Sequence, residues 1–160
     1  MTEFIKKYYC FSLCKKLIIL FGILGLIPFI LGLIDLFINK YNLFFKINLI
    51  KHYGLIIFTF LGAIYWGIVI DFKNENNYSE KLKLILIIWS IFPSALSLVI
   101  LTLEDKISII ILIFGYLLSQ FVDEKLNKYM NFSSWYIFLR RYLTICVIII
   151  LSLSYLILNI

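Results

Sequence analysis

The sequence predicts an all-α fold, a polytopic bundle of about five membrane-spanning helices with its N-terminus inside and its C-terminus outside. Three observations carry that expectation. Hydrophobic residues make up 63% of the chain against 15% charged, with a mean hydropathy of +1.02, far from the soluble balance of about 45–50% apolar and about 25% charged. The apolar stretches are continuous where a membrane barrel would alternate. Polar breaks between them hold most of the lysines. A fold of 160 residues has too little interior to hide this much apolar surface from water. Hydrocarbon removes that problem but forces backbone amides to pair internally, which favours helices.

A hydrocarbon layer of about 30 Å needs about 20 helical residues. Five segments qualify: Leu17 to Phe37, Tyr53 to Ile70, Leu84 to Leu103, Ile107 to Val122 and Tyr142 to Ile160. The fourth is short, and is expected to tilt less or sit in a thinned bilayer. It is bounded by Glu104, Asp105 and Lys106 on one side and by Asp123, Glu124 and Lys125 on the other. The few residues between the third and fourth spans require an antiparallel hairpin. No repeat, low-complexity tract or Gly/Ser linker interrupts the chain, so residues 1–160 are expected to form a single integral membrane domain.

The orientation follows from the cationic loops. With the N-terminus inside, that side carries eleven Lys and Arg: Lys6, Lys7, Lys15, Lys16, Lys73, Lys81, Lys83, Lys125, Lys128, Arg140 and Arg141. The other side carries four: Lys40, Lys46, Lys51 and Lys106. Because the formal charge of +6 is scattered between spans and not gathered on one face, nucleic acid is not an expected partner. The lysines before the first apolar run lack a small-x-small cleavage pattern, so that segment is read as retained. Cys10, Cys14 and Cys146 are odd in number and lack metal-ligand spacing, which argues against a disulfide framework.

Small or weakly polar residues recur at helical spacing in each span: Gly22, Gly25 and Gly32; Thr59, Ala63 and Gly67; Ser90, Ser94 and Ser97; Gly115 and Ser119; Thr144 and Ser152. Lipid gives helices no hydrophobic reason to associate, so such stripes are expected to be packing seams, with Gly62 among the close-approach positions. Pro28 and Pro93 fall near the middle of spans one and three and are expected to kink them.

No ionisable residue is placed near a midplane. At the inner ends lie Asp71, Gln120 and Asp123, with Arg140 and Arg141 opening the fifth span. Gln120 and Asp123, three residues apart, share a helix face, and a polar cluster in which Asp123, alone or with Asp71, pairs with Arg140 or Arg141 is the sharpest structural expectation; a solvated interface is the alternative. Trp66 and Trp89 occupy the inner halves of their spans. They read as an interfacial aromatic belt together with Trp135 and Tyr136, with a direct Trp66–Trp89 contact as the alternative. His52 has no second histidine or carboxylate cluster beside it, and no phosphate-cradling glycine loop occurs. Catalytic, metal and cofactor residues are therefore not assigned, and no cofactor is expected.

The ordered set Leu24-Gly25-Leu26-Ile27-Pro28-Phe29, Tyr53-Gly54, Phe60-Leu61-Gly62, Trp66-Gly67, Ser90-x-x-Pro93-Ser94, Gln120-x-x-Asp123 and Trp135-Tyr136-x-x-Leu139-Arg140-x-x-Leu143-Thr144 resembles the domain of unknown function 3429 family. That family includes bacterial membrane proteins and mitochondrial transmembrane protein 69-like proteins. The resemblance covers nearly the whole chain, from Gly22 to Thr144. The chain departs from the family pattern at Ala63, where a glycine is usual, at Ser133-Ser134, where a proline is usual, and in lacking a tryptophan after the Pro-Ser pair. The resemblance implies a small multi-spanning membrane protein, here placed in the bacterial cytoplasmic (inner) membrane, and brings no reaction with it.

Three functions compete. One is a non-enzymatic accessory or assembly component in contact with the lipid bilayer and with other membrane proteins or copies of itself. The second is a small-solute carrier or channel using Gln120, Ser119, Ser90, Ser94 and Thr59. The third is a lipid-modifying enzyme with a polar pocket around Asp71, Asp123 and Arg140.

Overall fold

The computed structural model describes residues 2–38, 43–70, 79–130 and 132–158, with side chains described from residue 13 to 38, 47 to 70, 79 to 130 and 132 to 158. The elements are α1 (Thr2–Leu24), α2 (Ile27–Ile38), α3 (Leu43–Ile70), α4 (Glu80–Leu101), α5 (Asp105–Met130) and α6 (Ser134–Ile157). Among the described residues, five helical stretches are long and apolar enough to cross a membrane: Leu13–Ile38, Ile47–Ile70, Glu80–Leu101, Asp105–Met130 and Ser134–Ile157. Only 11% of the first is buried inside the bundle and no more than 39% of any other. Large side chains such as Leu31, Phe37, Ile88, Leu98, Phe114 and Phe138 point outward. That exterior suits hydrocarbon and not water, so the fold is that of an integral membrane protein.

The first span consists of two helices, α1 and α2, divided at Gly25-Leu26. Pro28 explains where α1 stops. Proline has no N–H to give the carbonyl four residues back, at Leu24, and its ring crowds that carbonyl. Within α2 it occupies the first turn, where the N–H would have no helical partner anyway. The Tyr53 hydroxyl donates to the Gly25 carbonyl across the break at 3.0 Å, and the Tyr53 ring meets Phe29 edge-on at 5.0 Å. Pro93 behaves differently: α4 runs through it without interruption.

Helix α3 is the centre of the bundle, packing on α2, α4 and α5, while α6 packs on α5 and α2. Glycines mark the closest approaches. A Cβ on Gly62 would lie 2.6 Å from Cγ of Pro93, and one on Gly32 would lie 2.6 Å from Cγ1 of Ile50. The hairpin expected of spans three and four is present in chain order, yet α4 packs far more extensively on α3 than on α5. The turn between α4 and α5 is closed by Ser108, whose hydroxyl donates to the Ile100 carbonyl at 3.0 Å.

The buried residues follow a three-four repeat on α3, α4, α5 and α6. On α3 they include Lys51, Leu55, Phe58, Gly62 and Tyr65; on α4, Leu86, Ser90, Pro93, Ser97 and Ile100. On α5 they include Leu112, Tyr116, Ser119, Asp123 and Leu126; on α6, Ile137, Arg140, Thr144, Val147, Leu151 and Ser154. A repeat of about 3.5 residues keeps one seam facing its neighbours. The core of large apolar side chains lies along these seams, with Phe29, Leu36, Ile50, Phe58, Leu112, Tyr116 and Leu151 at its heart.

Two helices extend beyond the spans read from hydropathy. Helix α5 begins two residues earlier than the short fourth span and continues to Met130, and α6 begins at Ser134 instead of near Tyr142. Asp123 and Arg140 thus lie within helices, not at their ends. The charged residues Asp123 and Glu124 pair with Arg140 and Arg141 across the two helices, so the helices need not stop to hydrate them.

Candidate functional site

The seams deliver three polar side chains to one point. Asp123 follows Tyr116 and Ser119 on the buried face of α5, Arg140 follows Ile137 on α6, and Tyr65 ends the buried face of α3. Arg140 Nε donates to Asp123 Oδ2 at 2.8 Å, and its Nη2 donates to the same oxygen. The Tyr65 hydroxyl donates to Oδ1. Three helices are thereby joined through one carboxylate, with Asp123 and Arg140 exposing only 4% and 7% of their surface. The flanking Tyr136, one turn before Arg140, is half-buried and lines a cavity of about 10 Å³ together with Leu61, Ile64, Phe132, Ile137 and the three polar residues. That is room for about one water molecule.

A second pair lies outside the first. Arg141 donates through Nε and Nη2 to Glu124 Oε1 at 3.1 and 2.7 Å, and Gln120 Nε2 donates to the same oxygen at 3.0 Å. Glu124 and Arg141 keep about half their side-chain surface exposed. The expected inner-face cluster is therefore divided: Asp123 takes Arg140, and Glu124 takes Arg141 and Gln120. The Gln120 Oε1 and Asn127 Oδ1 atoms, one on each side of this layer along α5, are buried without a hydrogen-bond partner. Asp71 lies outside the described residues.

At the other end of α3, Lys51 Nζ donates to Asp105 Oδ1 at 2.6 Å. Lys51 is buried, while the Asp105 side chain keeps 21% of its surface exposed. Neither residue, nor Tyr65, is singled out by hydropathy. The signal that could have found them is the three-four repeat itself, which puts Lys51 and Tyr65 on the same seam as Leu55, Phe58 and Gly62.

The remaining predicted residues scatter. Gly25 sits in the break of the first span and Pro28 just after it, while Gly62 and Pro93 pack against each other. Gly67 is exposed, with nothing within 4 Å of where a Cβ would be, and Ser94 is exposed too; neither joins a packing seam. Trp66 points outward, whereas Trp89 stacks on Phe92 at 5.5 Å. Trp135 meets Tyr136 edge-on at 6.1 Å. Of the residues suggested for a solute path, Thr59 and Ser90 donate to carbonyls of their own helices, those of Ile56 and Ile87. None of the five lines the Asp123 cavity. Among the described residues no group of three or more His, Cys, Asp or Glu is arranged to hold a metal ion.

A second opening, larger and apolar, lies between α1 and α6. It measures about 600 Å³ and includes Lys15, Ile19, Trp135, Phe138, Leu139 and Tyr142 in its walls.

Comparison with known proteins identifies one family: the profile of "Protein of unknown function (DUF3429)" matches residues 14–156. No curated protein and no solved structure matches the chain.

Proposed function

The chain belongs to the DUF3429 family, and from that premise we propose that it is a non-enzymatic accessory or assembly component of the membrane. In this reading the Tyr65–Asp123–Arg140 cluster is a clamp. One observation carries the reading: the cluster is closed. Both oxygens of the Asp123 carboxylate are engaged by donors from neighbouring helices, and the adjoining space of about 10 Å³ is far below the roughly 300–1,000 Å³ of a small-molecule site. A carboxylate so occupied holds helices in register; it has little capacity left to activate or carry a substrate. Function then resides on the exterior, where the bundle meets lipid and other membrane proteins.

The proposal includes orientation and place. The eleven-to-four division of Lys and Arg between the two sides supports an N-terminus in the cytoplasm and a C-terminus outside, in a bacterial cytoplasmic membrane. Purification of the intact chain in mild detergent tests the accessory role: a stoichiometric membrane partner, retained by wild type, is the expected result. A partner-free particle in every detergent, or solute flux through liposomes that Asp123→Asn abolishes, would overturn it. Reporter fusions after Ile38 and Leu101 should both read as external, and an internal reading at either would reverse the orientation.

A further inference from the structure

Helices α1 and α6 touch closely at depth and part toward one end. A Cβ on Gly22 would lie 3.0 Å from Cδ1 of Leu143 and 3.8 Å from Cδ2 of Leu139, so the two helices meet there almost backbone to side chain. About two turns nearer the start of both spans, the gap widens into the groove of about 600 Å³. Its volume falls within the range of small-molecule sites. It is open along its side, and the rings of Phe138 and Tyr142 on its rim are 71% and 56% exposed.

The walls have two characters. Ile19, Phe138 and Leu139 make an apolar trough. At its mouth the Lys15 ammonium lies 5.1 Å from the centre of the Trp135 ring. A ring attracts a cation without cancelling its charge, so the ammonium remains available to an anion. Ser134 adds a hydroxyl to the same end. Cation, aromatic collar and apolar trough follow one another in the order of phosphate, glycerol and acyl chain in a membrane lipid.

We propose that the α1–α6 groove binds one anionic glycerophospholipid, with its phosphate at Lys15 and an acyl chain along Ile19, Phe138 and Leu139. The groove opens on the surface that lipid covers, and basic pockets between spans are established headgroup sites in membrane proteins generally. Charge complementarity selects an anionic headgroup over a zwitterionic one, whose own cation would be brought against Lys15. The proposal stands apart from the accessory role, since either could fail without the other.

Trp135 is a built-in reporter. In the full-length chain carrying Trp66→Phe and Trp89→Phe, it is the remaining tryptophan, and brominated acyl chains quench tryptophan on contact. In phosphatidylcholine vesicles, brominated phosphatidylglycerol should quench Trp135 severalfold more effectively than brominated phosphatidylcholine at equal mole fraction. Lys15→Gln should reduce that preference about fivefold, the effect of one cation near an anionic surface, while Lys128→Gln should leave it intact. Ile19→Phe, which fills the trough and keeps the charges, should lower quenching by both lipids and reads the same site if Lys15→Gln folds poorly. Equal quenching by the two brominated lipids would overturn the proposal. So would relief of quenching by inorganic phosphate, which would indicate a simple anion site, or a photo-cross-linker at position 138 that yields a covalent dimer in place of a lipid adduct.

Discussion

The two ends of α3 solve the same problem in different ways. Each sets a buried α3 donor against a carboxylate of α5, Lys51 with Asp105 at one end and Tyr65 with Asp123 at the other. Asp105 is the first residue of α5, where unpaired backbone amides and the helix dipole favour a carboxylate, and it retains some exposure. One lysine suffices there. Asp123 lies mid-helix, where every backbone N–H is already used, and it is nearly inaccessible. It is stabilised by side chains alone, and two helices beyond its own supply them. A buried charge near a helix start borrows from the backbone; one in the interior must recruit neighbours, and so ties the fold together.

If this contrast is right, removing a partner should cost most at the interior end. Arg140→Leu leaves the Asp123 charge buried with the Tyr65 hydroxyl alone, and should destabilise by about 3–5 kcal/mol in a detergent unfolding titration. Replacing both partners, Asp123→Leu with Arg140→Leu, should recover most of that loss, because an apolar pair of similar volume requires no desolvation of charge. A double variant as unstable as the single would mean that the pair is held for net stability and not for register, and would break the contrast.

Lys51→Met tests the opposite end. Asp105 loses its charged donor but keeps the helix terminus and its partial exposure, so a smaller loss, about 2 kcal/mol, is expected from the same titration. A loss equal to that of Arg140→Leu would show that the start of α5 contributes little. Tyr65→Phe comes next. A hydrogen bond to a charged group contributes about 1.5–3 kcal/mol in soluble proteins, whereas interhelical bonds in membranes average about 0.6. With Arg140 still present, about 1.5 kcal/mol is the expected cost, and in the Arg140→Leu background the same substitution should cost more.

Much of the architecture was legible in the chain. Helices and span number follow from apolar length, and the placement of Asp123 against the start of the fifth span offered it Arg140 or Arg141, of which the fold uses Arg140. What hydropathy could not give was depth. Polar residues lower any window that contains them, so hydropathy ends the fourth span at Val122, just before Asp123, and starts the fifth at Tyr142, just after Arg140, although α5 runs seven residues past Asp123 and α6 starts six before Arg140. Charges paired across helices are invisible to a scale that scores each residue alone. The same blindness hid Lys51, Asp105 and Tyr65. Gly62 and Gly67 look alike in sequence, yet only Gly62 meets a neighbour, the Pro93 ring, because the three-four seam of α3 passes through position 62 and not 67.

The smallest expected effect isolates burial from chemistry. Glu124–Arg141 repeats Asp123–Arg140 one residue further along both helices, so the two pairs share the same helices and the same carboxylate–guanidinium contact. They differ in surroundings: the outer side chains keep about half their surface, 43% for Glu124 and 54% for Arg141, against 5% and 9% for the inner pair. Glu124→Gln removes the outer charge while preserving shape and an oxygen acceptor for Arg141 and Gln120. An exposed ion pair contributes about 0–1 kcal/mol, and salt screens it. The substitution should therefore shift the unfolding midpoint slightly at low salt and not at all at high salt. Asp123→Asn, the same exchange at the buried position, should cost several times more and be insensitive to salt. If the two substitutions cost the same and screen alike, burial does not separate the layers, and the clamp reading of Asp123 would lose its physical basis.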